Sequence, residues 1–291
     1  MAHIRYSAAM PQAPPVVLTI AGFDPSSGAG ITADIKTIAA HGCYGVACIT
    51  ALTVQSTAGV KVVSSVDAAL VAETLEELAS DLDIGAVKIG MLGSGKVVRV
   101  VIDFLSRHKL PHVVVDPVLK STSGADLVDV GGAKLIAEKL LCLSEVITPN
   151  VDEASALTGL PVTNPEQMKN SAIRLHDMGA ANVVVTGGHL EKAIDLLSFA
   201  SRGGFEQQLF KAERQRSSST HGTGCAFSTA IACHLACGRG VPEAVLLAKA
   251  YVSAAISKGQ PIGRGTGPVH HLYRLNQPQR RGTSADTEVV N

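Results

Sequence analysis

The chain has 291 residues, 46% of them apolar and 17% charged, with a formal net charge of zero. That apolar content fills a core and argues against disorder as the default state. Balanced charge, 3% aromatic residues and no Trp argue against a nucleic-acid surface, an anionic-membrane surface or a base-stacking platform.

Residues 1–15 hold no apolar core of signal-peptide length and read as a loose tail of Ala, Pro and small polar residues. Val16–Ala21 is an apolar run with Val and Ile, hence a buried strand. Gly28–His41 places Ile31, Ile35 and Ile38 at helical spacing. Val46–Val54 is strand-like, and Val60–Ser65 alternates as a half-exposed strand does. Ala68–Leu82 carries a stripe of Leu70, Val71, Thr74, Leu75 and Leu78. Ala86–Ile89 is the next strand. Lys96–His108 is a helix with Val97, Val101, Phe104 and Leu105 inward, and Val113–Asp116 is a strand ending on a carboxylate.

Gly131–Leu141 reads as a helix, Val146–Thr148 as a strand, Val151–Thr158 and Pro165–Met178 as helices, and Val183–Thr186 as a strand. Ile194–Ala200 and Phe205–Phe210 flank Gly203-Gly204 and read as a hairpin. Two helices follow, Thr223–Cys237 and Pro242–Ser257. Residues 276–291 are polar, Arg-bearing and aperiodic, a second tail, so 16–275 form the folded domain. No apolar run reaches membrane-spanning length, and there is no internal repeat.

The alternation predicts an α/β fold: a mostly parallel central sheet flanked by helices on both faces, in three layers. Ligands in such sheets bind outside the carboxyl ends of the strands. The first strand runs into Ala21-Gly22-Phe23-Asp24-Pro25-Ser26-Ser27-Gly28-Ala29-Gly30, a glycine-rich turn before a helix. Asp34, one turn into that helix, is either a solvated charge or a hydrogen-bond partner for substrate. Gln55 follows the second strand; its amide offers donor and acceptor to an aminopyrimidine edge, although a loop Gln is commonly surface decoration. Met91 either packs on a flat ring or fills the core. Asp116 stands before Pro117, which stops its strand. In Thr148-Pro149-Asn150-Val151-Asp152-Glu153 the same device recurs. There Asn150 and Glu153 read as a capping box, or with Asp116 as oxygen groups for Mg²⁺.

The sharpest feature is Ser219-Thr220-His221-Gly222-Thr223-Gly224-Cys225 before a helix rich in small residues. Its glycines expose backbone amides where the helix dipole is positive, which would stabilise a phosphoryl oxygen developing negative charge. Cys225 lies where a helix start lowers a thiol pKa and could accept a proton from a substrate hydroxyl. The six cysteines show no CxxC or zinc spacing, and Cys233 and Cys237 share a helix face without forming a disulfide pattern. A reducing compartment is expected.

These residues resemble a known family. LTIAGFDPSSGAGITADIKT, ITALTVQSTAGV, KIGMLGS, VVDPVLKSTSG, ITPNVDEA, VVTGGH, STHGTGCAFSTAIA and GPVHH stand in the order found in the bacterial hydroxymethylpyrimidine/phosphomethylpyrimidine kinases of thiamine biosynthesis, within the ribokinase-like superfamily. They cover residues 16–273. The resemblance implies a ribokinase-like fold, ATP and Mg²⁺, a cytoplasmic enzyme, and a homodimer. It also implies two phosphorylations, of 4-amino-5-hydroxymethyl-2-methylpyrimidine and then of its monophosphate. It assigns Gln55, Gly22, Ala29, Asp34 and Met91 to the pyrimidine, and Gly222, Thr223 and Gly224 to an anion hole with Cys225 as base. Asp116 and Glu153 would organise the metal. Asn150, Lys120, Thr186 and Gly188 would face the nucleotide. Two positions depart from the pattern: Thr186 and Thr122 stand where the family often has Lys, and Lys120 is the nearest replacement cation. Two other readings compete. One is a pyridoxal kinase, whose substrate also carries a hydroxymethyl group on a nitrogen heterocycle; the other is a non-catalytic sensor that kept the pocket.

Overall fold

The computed structural model describes residues 13–121, 124–188, 194–211 and 217–275. Both expected tails, apart from residues 13–15, fall outside that set, as does Thr122.

The apolar runs form strands Val16–Phe23 (β1), Tyr44–Ser56 (β2), Gly59–Ser65 (β3), Ile84–Ile89 (β4), Val113–Val115 (β5), Val146–Ile147 (β6), Asn182–Val185 (β7), Ile194–Ser201 (β8) and Gly204–Lys211 (β9). They make one sheet in the order β3-β2-β1-β4-β5-β6-β7-β8-β9. From β2 to β7 all neighbours are parallel, while β3, β8 and β9 pair antiparallel at the two edges. The mostly parallel sheet and the β8–β9 hairpin are as expected.

Helices cover both faces: Gly30–Ala40 (α1), Ala68–Asp81 (α2), Gly95–His108 (α3), Val130–Leu135 (α4), Val151–Thr158 (α5), Pro165–Asp177 (α6), Thr223–Ala236 (α7) and Val241–Ser257 (α8). Alternate strand residues feed two cores. Leu18, Ile20, Val87 and Ile89 pack with Val71, Leu75, Val101, Phe104 and Met168 on one face. Val17, Ala86, Val114 and Val184 pack with Ile38, Ala230, Ile231 and Tyr251 on the other. Period-two alternation against two helical layers produces this division.

Three expectations change. The stripe on α2 is narrower, because Leu70 is exposed while Val71 and Leu75 face the core. The helix expected over Gly131–Leu141 is α4, then a π-helical turn at Ile136–Leu140 and a 3₁₀ turn at Leu141–Leu143. Those changes of pitch coincide with consecutive fully buried residues, Leu140 and Leu141, which a regular helix would splay apart. Strand β2 also runs on to Ser56, because its second half pairs with β3; Gln55 is therefore a strand residue opposite Val60, not a loop residue.

Candidate active site

The carboxyl ends of β1, β4 and β5 meet the start of α7. The glycine-rich turn after β1 closes on Asp24, which is 3% exposed. Its carboxylate accepts from Ser26 N at 2.8 Å, Ser26 Oγ at 2.7 Å and Ala29 N at 2.9 Å, and faces His221 Nε2 at 2.8 Å. Burial would raise the Asp24 pKa, but the His221, Ser26 and Ala29 hydrogen bonds hold it below the usual range. An ionised Asp24 takes a proton donor from His221, so Nε2 carries the hydrogen. The Gln55 amide lies 3.3 Å from the same Nε2, and its other end meets Thr53 Oγ1 at 3.1 Å. With its hydrogen given to Asp24, Nε2 has no lone pair for the Gln55 amide nitrogen, so the Asp24–His221 bond ties the β1 turn to the His221 turn while Gln55 is held through Thr53.

The other expected pyrimidine-binding groups gather nearby. A Cβ on Gly22 would stand 2.8 Å from Met91 Sδ, so those two form one wall. A Cβ on Gly28 would stand 2.3 Å from the His221 ring. Ala29 is the N-cap of α1, beside Gly222. Gly222 has φ +79, and a Cβ there would lie 1.8 Å from Gly28 O, so the two glycine turns touch backbone to backbone. That contact fixes the first turn of α7, where the Gly224 and Cys225 N–H groups precede any intrahelical acceptor.

Asp34 requires a correction. It is neither solvated nor open to substrate: its side chain is fully buried and bonds Lys88 Nζ at 2.9 Å, Thr19 Oγ1 at 2.6 Å and Thr229 Oγ1 at 2.8 Å. Lys88, also fully buried, sits mid-floor on β4. Burial alone would lower its pKa, but Asp34, Cys225 and Asp116 override that and raise it, so it stays charged. Sequence reasoning passed over Lys88, Asp24 and His221. A lysine inside the apolar run of β4 was the available signal, since lone lysines are rarely buried without a partner.

Cys225 stands at the convergence of these groups, half-buried, with the Gly30 amide, Lys88, Asp34 and Asp116 around it. The expected thiolate is corrected here too. Burial pushes its pKa up to about 12; Lys88 opposes this, and Asp34 and Asp116 add to it. Burial is the largest cause, and the two carboxylates add to it. Asp116 Oδ2 accepts from Ser228 Oγ at 3.3 Å and lies 3.8 Å from where a Gly224 Cβ would be. Burial raises the Asp116 pKa to about 6 despite Lys88, with Asp34 adding to the rise.

Glu153 combines two roles. Its carboxylate accepts from Asn150 N at 2.9 Å and Asn150 Oδ1 accepts from Glu153 N at 2.9 Å, a complete capping box. Burial and the neighbouring Asp116 also raise its pKa to about 8. The Thr148 hydroxyl is buried without a partner, and the Val115–Ile147 register sets Thr148 beside Asp116. Two buried carboxylates held partly protonated beside an unused hydroxyl suit a hard divalent cation. No cluster of three or more metal-binding side chains occurs among the described residues. Mg²⁺ commonly takes one or two carboxylates plus substrate phosphates, so the donor set fits.

The groups expected at the nucleotide are less converged. Asn150 is committed to the α5 cap but pairs by backbone with Thr186. Gly188 is exposed. Lys120 is exposed and 3.6 Å from Asp126, an ion pair of small worth.

Glu153 holds its proton to about pH 8 when folded, against an ordinary value of 4.5, so folding takes up a proton between those limits. Its contribution to stability is full at low pH and is lost as pH rises through about 8. Glu153→Gln keeps an oxygen for the cap and removes the titration. Its melting temperature should fall less than that of the parent protein between pH 5 and pH 8; parallel melting curves for the two would show that Glu153 is already ionised.

The model of the family described as phosphomethylpyrimidine kinase matches residues 24–270. The Streptomyces coelicolor hydroxymethylpyrimidine/phosphomethylpyrimidine kinase is 39% identical over 92% of this chain and 98% of its own length. The thiamine biosynthesis bifunctional protein ThiED of Geobacter sulfurreducens is 43% identical over 91% of this chain, which spans only 54% of that longer protein. The crystal structure of Bacillus subtilis pyridoxal kinase as an ADP complex superposes with a TM-score of 0.82 at 32% identity, covering 91% of this chain and all of that one.

Proposed function

The chain belongs to the phosphomethylpyrimidine kinase family and is a phosphotransferase, and on that premise we propose that it moves the γ-phosphoryl group of ATP onto the hydroxymethyl oxygen of 4-amino-5-hydroxymethyl-2-methylpyrimidine, and then phosphorylates the monophosphate to the diphosphate. The observation that carries this reading is the junction of the two glycine turns, which sets the Gly224 and Cys225 amides, the Cys225 sulfur and Asp116 together at one mouth. Gln55, whose Oε1 accepts from Thr53 Oγ1 and whose amide nitrogen lies 3.3 Å from the His221 ring, offers both amide polarities to an aminopyrimidine edge; Gly22 and Met91 form a wall for its ring.

Asp116 and Glu153 would hold Mg²⁺, which supplies charge neutralisation on the transferring phosphates. The α7 amides stabilise the oxygens of the moving phosphoryl group. Cys225, protonated in this form, takes the hydroxyl proton only after charge near it is compensated. Lys88 holds Asp34 and lowers the cost of a Cys225 thiolate. Cytoplasmic residence fits a chain whose described residues contain no helix able to cross a membrane. Homodimerisation is supported by exposed Leu52, Val54 and Val62 on the β2–β3 ribbon.

Vitamin B6 phosphorylation is the second reading, favoured by the superposition on a pyridoxal kinase. A coupled ADP-release assay with hydroxymethylpyrimidine, its monophosphate and pyridoxal separates the two. A kcat/KM for pyridoxal above that for both pyrimidines would overturn the first reading. Cys225→Ala is expected to lower kcat by about 10²-fold, with pyrimidine affinity near that of the parent protein. Near-normal turnover would remove the sulfur from proton transfer.

A further inference from the structure

Away from the active-site mouth, three cysteines converge on one spot. Cys43, in the turn between α1 and β2, has its Sγ 3.9 Å from Sγ of Cys237. Cys237 is exposed at the C-terminal end of α7, and Cys233, one turn earlier on the same face, is buried against Cys43. All of these are free thiols.

We propose that Cys43 and Cys237 form a reversible disulfide when the protein meets hydrogen peroxide. The sulfurs must close from 3.9 Å to about 2.05 Å, a movement that side-chain rotation and small backbone shifts can supply. The surroundings leave room for it. Gly42 precedes Cys43 with φ +73, Gly238 follows Cys237 with φ +78, and neither has any atom within 4 Å of the place a Cβ would take. Both thiols therefore border turns that can move without a collision.

The chemistry has a preferred order. Hydrogen bonds from Cys233 lower the Cys43 pKa against the effect of burial, Cys237 helps, and the result is about 7. Of these three thiols Cys43 is the one whose surroundings favour the thiolate. Burial and the nearby Cys43 raise the Cys237 pKa, which suits it to wait as the resolving thiol. The Cys43 thiolate attacks one peroxide oxygen; the O–O bond breaks and hydroxide leaves, giving the sulfenic acid. The Cys237 sulfur then attacks the Cys43 sulfur. The S–S bond forms, the S–O bond breaks, and the departing hydroxide takes the Cys237 proton as water. Two thiols lose two electrons and the peroxide is reduced to two waters. Cys237 is exposed beside Cys43, whereas Cys233 is on the buried face of α7.

The result would be a staple between the start of β2 and the end of α7, the helix whose other end carries the Gly222 turn. The test treats the full reduced chain with hydrogen peroxide at neutral pH, blocks remaining thiols with iodoacetamide, digests it, and sequences linked peptides by fragment-ion mass spectrometry. A Cys43–Cys237 cross-link that dithiothreitol reverses is expected. In Cys237→Ser, an exposed change that leaves the core untouched, the cross-link should vanish and a 1,3-diketone should capture Cys43 as its sulfenic acid. The proposal is overturned by a link from Cys43 to Cys233. It is equally overturned if Cys43 and Cys237 both remain alkylated while other cysteines oxidise, or if the diketone does not label Cys43 in the Ser variant.

Discussion

Lys88→Met is expected to destabilise the fold by about 3–5 kcal/mol, the cost of leaving one partner of a buried ion pair uncompensated. Lys88 and Asp34 are both fully buried, so no water can replace the lost ammonium. Among the described residues, Thr19 and Thr229 would remain as Asp34's hydrogen-bond donors. Methionine matches the length of the stem, so the loss comes from charge rather than from a cavity. Urea denaturation at pH 7 measures it. Adding Asp34→Asn removes the orphaned charge, and the double variant should regain part of the stability. A single variant that loses under about 1 kcal/mol would mean that Asp34 is satisfied without Lys88. Turnover should fall as well, because Lys88 is the positive charge that opposes the rise in the Cys225 pKa.

Gly222→Ala is expected to lower kcat/KM by about 10²–10³-fold, the size of effect seen when a backbone anion-hole donor is displaced. The mechanism is steric. A Cβ at this position would lie 1.8 Å from Gly28 O, which is backbone and cannot rotate away, and φ +79 is itself disfavoured for alanine. Relief requires the α7 start to withdraw from the β1 turn, moving the Gly224 and Cys225 amides together. A lower melting temperature should accompany the loss. The control is Gly240→Ala at the start of α8, where nothing lies within 4 Å of the added carbon, φ is −70, and kcat/KM should stay within about twofold. Full activity in Gly222→Ala would mean that the turn's backbone does not position the anion-binding amides.

Much of the fold was readable in the residues because hydrophobic periodicity is local. Val16–Phe23, Gly95–His108 and Val241–Ser257 are each specified by their own spacing and caps. The exceptions have a common cause. Gln55 became a strand residue because β3 supplies its partner, and the helix expected at Gly131–Leu141 changed pitch to bury Leu140 beside Leu141. In each case a contact with another element decided the outcome.

The site divides the same way. Glycine spacing, the His221-to-Cys225 turn and the strand-end carboxylates were visible in sequence, since each depends on neighbours within a few residues. Electrostatics was not. The Cys225 thiol reads as acidic from its helix start, yet the fold places it among Asp34, Asp116 and Lys88, drawn from α1, β4 and the end of β5. Asp34 reads as a solvated charge or a substrate partner until Lys88, far along the chain, closes over it.

The layered α/β architecture, the glycine turns and the chemical types gathered at the strand ends follow from local sequence, because backbone preference and periodicity act over a few residues. Tertiary structure alone decided which charges are buried together, which of two thiol environments favours a proton, and that Cys43 meets Cys237. Those outcomes depend on distance and local dielectric between segments remote in the chain, quantities set only when the elements pack.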